Sequence, residues 1–445
     1  MKHRLKKIIF LAGDLLILHA ALALTLLVRY RLIDGQQDLA PYWQGHWRYF
    51  FGVFVIFILV FYINSLYSLR QMAAIKSFTR RTFNSVIAAS LLAALYFYTF
   101  PRADIAPKTN LAIFAAIALA AFLLWRRLAY WLASANAWQN NLAIIGNNEK
   151  TATLVASLNK KPALGYQIVQ IISRAEELAD LEKNIRAKNI RIVVLADDLG
   201  ANEIISSSLF ALLRYRVTFI SYTNFYEQIN EEVPVENINQ DWFLENLQEG
   251  EKNYFDFFKQ SLDFIMAVII FLISLPFWPL IALMVKLSSS GPAIFTQERL
   301  GKNGRPFKLY KFRTMRVKDN DGTMTLANDN RITAIGSFLR STRLDEIPQL
   351  INVIKGEMSF IGPRPERPEF SAELEKQLPF YNTRLLVKPG LSGWDQVSGE
   401  YHSSSPVDTL KKLQHDLYYI KHRSPYLDAT IALKTIATVL GREGR

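Results

Sequence analysis

Four runs of apolar residues crowd the first third of the chain: Ile8–Val28, Tyr49–Leu69, Phe83–Phe100 and Leu111–Leu124. Each approaches the roughly 20 residues with which a helix crosses about 30 Å of hydrocarbon. The fourth is short unless it extends to Leu132 with Arg126 and Arg127 snorkelling to an interface. Four buried core helices of a soluble protein are the alternative. Aromatic residues near the run ends (Tyr30, Trp43, Trp47, Trp125, Trp131) favour a bundle of membrane spans. Of the 445 residues 50% are apolar and 20% charged, which excludes a disordered chain.

The first run follows a basic segment (Lys2, Arg4, Lys6, Lys7) as a secretory signal would, but it is long, no Ala-x-Ala site stands out, and more spans follow. It reads as an uncleaved helix. Asp14 and His19 lie within it, and helix packing is the favoured use of both. Lys and Arg are dense at the N-terminus and in the second loop (Arg70, Lys76, Arg80, Arg81), whereas the other loops hold Asp34, Asp38 and Asp104. By the positive-inside tendency both ends of the bundle, and everything after Trp138, face the cytoplasm.

From Asn141 the pattern turns to alternating strands and helices. Strands are expected over Asn141–Gly146, Tyr166–Ile172, Ile190–Ala196 and Val217–Ile220, with helices over Glu149–Leu158, Glu176–Lys188 and Ala201–Arg214. That rhythm predicts a parallel sheet, Rossmann-like, with helices on both faces. Its first turn, Gly146-Asn147-Asn148-Glu149-Lys150, carries one glycine rather than three, so a dinucleotide site is not supported. A regulatory or oligomer-contact domain is the reading that remains.

An acidic stretch, Glu227–Lys252, reads as a linker to a fifth apolar run, Phe264–Leu287. Pro276 and Pro279 interrupt its centre, and proline removes a backbone donor and clashes one turn back. Between Glu298 and Lys318 stand eight cations (Arg299, Lys302, Arg305, Lys308, Lys311, Arg313, Arg316, Lys318). A full crossing would put them outside, against the charge rule. A helix–break–helix bent near Ser274–Pro276, entering and leaving by the cytoplasmic face, satisfies both facts; an ordinary fifth span is the alternative.

Such cations beside a bilayer suit a phosphorylated substrate or anionic headgroups. Farther on, adjacent Asp345 and Glu346 are flanked by Arg343 and Arg364. This is the equipment of phosphoryl transfer: a nucleophile or base, a hard-cation ligand, and positive groups for phosphate oxygens. The absence of cysteine excludes a thiolate nucleophile and a disulfide framework. The net charge of +13 sits largely on segments read as cytosolic, its cation clusters lie beside the bilayer, and no motif for nucleic acid accompanies them, so none is expected as a partner.

The ordered motifs Gln297-Glu298-Arg299, Tyr310-Lys311-Phe312-Arg313-Thr314-Met315, Asp345-Glu346-Ile347-Pro348-Gln349-Leu350, Gly362-Pro363-Arg364-Pro365, Lys388-Pro389-Gly390 and Gly393-Trp394 resemble those of the bacterial sugar transferases, the monotopic polyprenyl-phosphate phosphoglycosyl transferases. The likeness runs from about Phe257 to Arg445. The preceding spans and α/β segment look like those of larger members that initiate exopolysaccharide or O-antigen repeat units. One departure is that Leu275 separates Ser274 from Pro276, where the family's break has Ser directly before Pro.

The resemblance implies transfer of a sugar 1-phosphate from a UDP-sugar to undecaprenyl phosphate, with release of UMP. Asp345 would be the nucleophile, and Glu346 would hold Mg²⁺ with it or act as base. Lys311, Arg313, Arg343, Gln349 and Arg364 would bind substrate. The expected architecture is a four-helix transmembrane bundle (residues 1–135), a Rossmann-like domain (140–226), a linker (227–255), and a re-entrant helix with a mainly helical cytosolic catalytic domain (256–445). A bacterial inner-membrane homodimer is expected. Two helices, Asp408–Ile420 and Leu427–Leu440, close the chain, their cations and aromatics (Lys411, Lys421, Trp394, Tyr401, Tyr419) serving either headgroups or core packing. Two other functions compete: a glycosyltransferase passing only the sugar, and a non-catalytic membrane scaffold or regulator of polysaccharide assembly.

Overall fold

The computed structural model describes residues 2–68, 75–100, 107–134, 139–196, 203–247, 249–316, 329, 331–398 and 405–440. Arg70, Asp104, Trp138, Lys318 and Tyr401, used in the sequence reading, lie outside them. The chain forms two compact units, Met1–Asn230 and Glu231–Arg445.

In the first unit four apolar helices come first: α1 (Lys2–Leu26, continued as a π-helix over Leu27–Ile33), α2 (Ala40–Ile63), α3 (Ile75–Thr99) and α4 (Pro107–Ser134). All are long and apolar enough to cross a membrane. Each buries a narrow stripe and leaves the rest apolar and exposed, as a helix among lipids must. Phenylalanine rings fill the shared interior, where Phe57 stacks on Phe122, and Phe61 meets Phe122 and Phe50 meets Phe114 edge to face. Arg126 does not snorkel. It is buried among these helices, its Nη2 donating to Asp14 Oδ2 at 2.5 Å, while Trp125 Nε1 donates to the other oxygen at 3.0 Å. A charge pair costs less than a lone charge in an apolar interior, so α1 and α4 satisfy each other.

The α/β part holds β1 (Asn140–Ile145), α5 (Glu149–Asn159), β2 (Tyr166–Ile172), α6 (Leu178–Ala187), β3 (Ile190–Leu195), α7 (Glu203–Leu212), β4 (Thr218–Ser221) and α8 (Tyr222–Asn230). All strand pairs are parallel, in the order β2-β1-β3-β4. Strand alternation divides the core: Leu142 and Ile144 share one cluster with α5 and α8, whereas Ala143 and Ile145 share another with α6 and α7. Helices thus cover both faces. At the first turn Asn148 caps α5, its side chain accepting from Thr151 N–H at 3.1 Å.

The second unit opens inside the stretch read as a linker. Val233, Val235 and Trp242, on and before α9 (Gln240–Asn246), are buried with Leu413 and Leu417 of the C-terminal helices. Next come α10 (Asn253–Ser274), a 3₁₀ turn (Leu275–Phe277) and α11 (Trp278–Ser288), then the antiparallel hairpin β5 (Ile294–Leu300) and β6 (Pro306–Phe312). They are followed by α12 (Ala334–Ser341), a 3₁₀ helix (Leu344–Gln349) running into α13 (Leu350–Ile354), β7 (Ser359–Ile361) and α14 (Pro368–Gln377). The unit ends with β8 (Gly390–Ser392), α15 (Trp394–Val397), α16 (Pro406–His422) and α17 (Pro425–Leu440). β7 and β8 run parallel and approach so closely that a Cβ on Gly390 would lie 2.1 Å from Gly362 N. The C-terminal groups serve packing: Trp394 and Tyr419 are buried, Lys411 pairs with Glu232 at 2.9 Å, and Lys421 lies over the Trp242 ring.

Candidate active site

Strand geometry and one strained residue bring the functional side chains together. Along β6 the alternation that buries Phe307 and Leu309 places Lys311 on the same inward face. A cation there needs an anion, and the 3₁₀ helix 344–349 packed beside β6 supplies Glu346. Arg343 precedes that helix with φ +57°, in the left-handed region a side chain adopts at a cost. The kink turns the chain from α12 into the helix that presents Asp345 and Glu346.

Glu346 Oε1 receives three cations: Lys311 Nζ at 2.9 Å, Arg364 at 3.6 Å and Arg343 at 3.8 Å. Burial alone would raise its carboxyl, but Lys311, Arg364 and Arg343 outweigh it and hold it down at about 2. Asp345 differs. Burial pushes its carboxyl up, the Glu346 charge adds to this, and Lys311, Arg340 and Arg343 only partly oppose them. Asp345 is 7% exposed and its Oδ1 has no hydrogen-bond partner. The site therefore holds one clamped carboxylate and, next to it, one buried carboxyl with an unengaged oxygen. The surroundings thus push the two neighbouring carboxyls in opposite directions.

Gln349, on the same 3₁₀ helix, is buried with its Nε2 unpartnered. Lys311, Arg343 and Arg364 gather at the carboxylates, but Arg313 is not brought to them. β6 ends at Phe312, and the Arg313 guanidinium donates to the carbonyls of Pro292, Val285 and Ser289, closing the C-terminal end of α11. Those carbonyls would otherwise lack partners, which is why that cation is drawn away from the site.

Two residues at the site escape a reading by motif. Arg340 is held through Nε to Thr314 Oγ1 at 2.9 Å, and its charge acts on Asp345. That placement depends on α12 lying against Thr314, where a Cβ on Gly336 would be 2.0 Å from the Thr314 carbonyl oxygen. Asn352, fully buried, ties α13 to β6 by accepting from Tyr310 N–H and donating to Lys308 O, setting the strand from which Lys311 projects. Separate arginines and lone asparagines are common surface features, so only the packing shows what either does.

Residues 254–442 match the family model of the bacterial sugar transferases, and residues 62–200 match that of a CoA-binding domain. Among curated relatives, the UDP-N-acetylgalactosamine-undecaprenyl-phosphate N-acetylgalactosaminephosphotransferase of Aeromonas hydrophila is 43% identical over 186 residues, 41% of this chain and 44% of that protein. The UDP-glucose:undecaprenyl-phosphate glucose-1-phosphate transferase of Xanthomonas campestris is 44% identical over 208 residues, 44% of this chain and 42% of that protein. The matches thus span less than half the length of these two relatives. An exopolysaccharide production protein of Rhizobium leguminosarum, 38% identical over 191 residues, is matched over 96% of its length. With the shorter relative covered almost end to end by the segment that builds the carboxylate site, the chain belongs to the bacterial sugar transferase family.

Proposed function

We propose that this protein transfers a sugar 1-phosphate from a UDP-sugar to undecaprenyl phosphate and releases UMP. The observation that carries the reading is the pairing of a clamped Glu346 with a buried Asp345 whose Oδ1 is unengaged. An Asp345 carboxylate oxygen attacks the β-phosphorus of the UDP-sugar, the bond from that phosphorus to the bridging oxygen breaks, and UMP leaves. A phosphate oxygen of the lipid then attacks the same phosphorus, the aspartyl–phosphate bond breaks, and the carboxylate returns. Splitting one displacement into two is the use of a nucleophilic carboxylate. Arg343, Arg364 and Lys311 carry the positive charge that stabilises phosphoryl oxygens in each transition state.

A Mg²⁺ ion fits these residues. Such an ion takes one or two carboxylates together with substrate phosphates, and the buried, unpartnered Asp345 Oδ1 is an acceptor that it would satisfy. Asp345 and Glu346 would hold it, and it would neutralise phosphate charge.

A re-entrant course for α10–α11 is part of the proposal. What supports it is that both limbs pack on one small fold: Ala267 clusters with Phe307 and Leu309, and Val285 clusters with Phe312 of the same strand. Ala267 and Val285 would be about 27 Å apart along a straight helix, too far to serve neighbouring positions of β6. Ser274 Oγ, donating to Phe271 O and accepting from Trp278 Nε1, spans the bend. The catalytic unit would then lie on the cytoplasmic face of the bacterial inner membrane, where soluble nucleotide and lipid phosphate meet.

The nucleotide released is the test. With UDP-glucose or UDP-N-acetylgalactosamine and undecaprenyl phosphate, the full chain should yield UMP; UDP as product would replace this reading with transfer of the sugar alone. The metal-free protein gives a second expectation. Burial raises the Asp345 carboxyl, so without Mg²⁺ it should titrate above the ordinary aspartate value of about 3.9, and added Mg²⁺ should pull that titration down. A metal-free titration at or below the ordinary value, followed by NMR, would contradict the reading of Asp345 as a buried carboxyl.

A further inference from the structure

The loop Gly362–Glu366 carries Arg364 to Glu346, yet it can do little to hold itself. Pro363 and Pro365 have no backbone N–H, so two of its donors are missing. Its carbonyls are instead held from outside, one after another. Gly390 N–H donates to Pro363 O at 2.9 Å, Arg384 Nη2 to Arg364 O at 3.1 Å, Arg299 Nη1 to Pro365 O at 3.1 Å, and Leu300 N–H to Glu366 O at 2.9 Å. Two of these four donors are arginine side chains from distant parts of the chain, β5 and the 3₁₀ segment Tyr381–Leu386.

Both arginines are themselves fixed. Arg384 is buried, with Nη2 also on Asp416 Oδ2 at 2.6 Å and Nη1 on the Tyr381 hydroxyl at 2.6 Å. Arg299 donates from Nη2 to Gln297 Oε1 at 2.7 Å. The Glu366 carboxylate stands between them, 3.4 Å from Arg299 and 4.0 Å from Arg384. Neither arginine is among the cations on Glu346, whereas the Arg364 side chain is. A guanidinium can grip a carbonyl and a carboxylate at once in fixed geometry, which a lysine cannot.

We infer that Arg299 and Arg384, bridged by Glu366, are positioning residues that set the proline loop so that Arg364 meets the carboxylate pair. The inference rests on the phosphosugar-transfer reading above. It deepens that reading by assigning work to the Gln297-Glu298-Arg299 motif, which touches neither Asp345 nor Glu346.

A double-mutant cycle on the full-length protein tests it, with UMP release from UDP-glucose or UDP-N-acetylgalactosamine and undecaprenyl phosphate as the readout. Arg364→Ala should lower kcat/KM about 100-fold. Arg299→Gln should lower it about 10- to 100-fold, as expected when a binding group is displaced by about 1 Å. The double variant should stay within about threefold of Arg364→Ala, because no side chain remains to be positioned. Arg384→Lys should keep the charge pair with Asp416 and the fold, yet lose activity like Arg299→Gln. Losses that multiply in the double variant, or a wild-type rate in Arg299→Gln, would overturn the inference while leaving the transfer reading intact. Absence of UMP from the wild-type chain would overturn both.

Discussion

Asp345→Asn is expected to lower UMP release by at least about a thousandfold, with little change in thermal stability. The amide keeps the size of the side chain but cannot attack phosphorus as a carboxylate does. Stability should be spared because Asp345 makes no hydrogen bond through Oδ1, and burial already disfavours its charge. Glu346→Gln should behave differently. It removes the anion on which Lys311, Arg343 and Arg364 converge, so activity and stability should fall together. Incubation with a donor labelled at the β-phosphate, without lipid acceptor, should label wild-type protein and leave the Asp345→Asn variant unlabelled. Equal labelling of both would place the nucleophile elsewhere.

Asp14→Ala should give the largest stability loss of any single change in the apolar helices. It strips Arg126, 3% exposed, of its ion-pair partner and leaves a cation buried among rings. Removing one member of a buried pair costs about 3–5 kcal/mol, whereas replacing both by apolar residues is often neutral. Thermal unfolding in detergent should therefore show a large drop in Tm for Asp14→Ala and for Asp14→Asn, and recovery in Asp14→Ala/Arg126→Leu. A single variant as stable as wild type would mean that the pair contributes nothing to holding α1 against α4.

These two sites differ in how far they can be read without a fold. Asp345 and Glu346 are adjacent in sequence, and their motif is distinctive, so the pair stands out from the residues alone. Asp14 and Arg126 lie 112 positions apart. Each alone suggests a polar group tolerated near a membrane, and Arg126 close to a helix end invites a snorkelling reading. Only the packing of α1 on α4 shows that they neutralise each other.

The same contrast separates Lys311 from Arg313. Their spacing of two would place both on one face of an extended strand. The strand stops between them, and the free carbonyls at the end of α11 capture the second cation. Arg340 shows the reverse case, an unremarkable arginine made part of the site by a helix pressed on Thr314. The acidic stretch after Asn230 likewise reads as solvated linker by composition, yet its Val233, Val235 and Trp242 are buried in one cluster with Leu413 and Leu417 of α16.

The apolar helices, the alternating α/β rhythm, the break at Ser274–Pro276 and the carboxylate pair are legible in the residues, because each is a local pattern written in consecutive positions of the chain. Which cations reach Glu346, which ones close a helix end, and what holds the proline loop follow only from the fold. Those outcomes depend on the partners available to a buried charge or carbonyl, and the partners come from segments far apart in the chain.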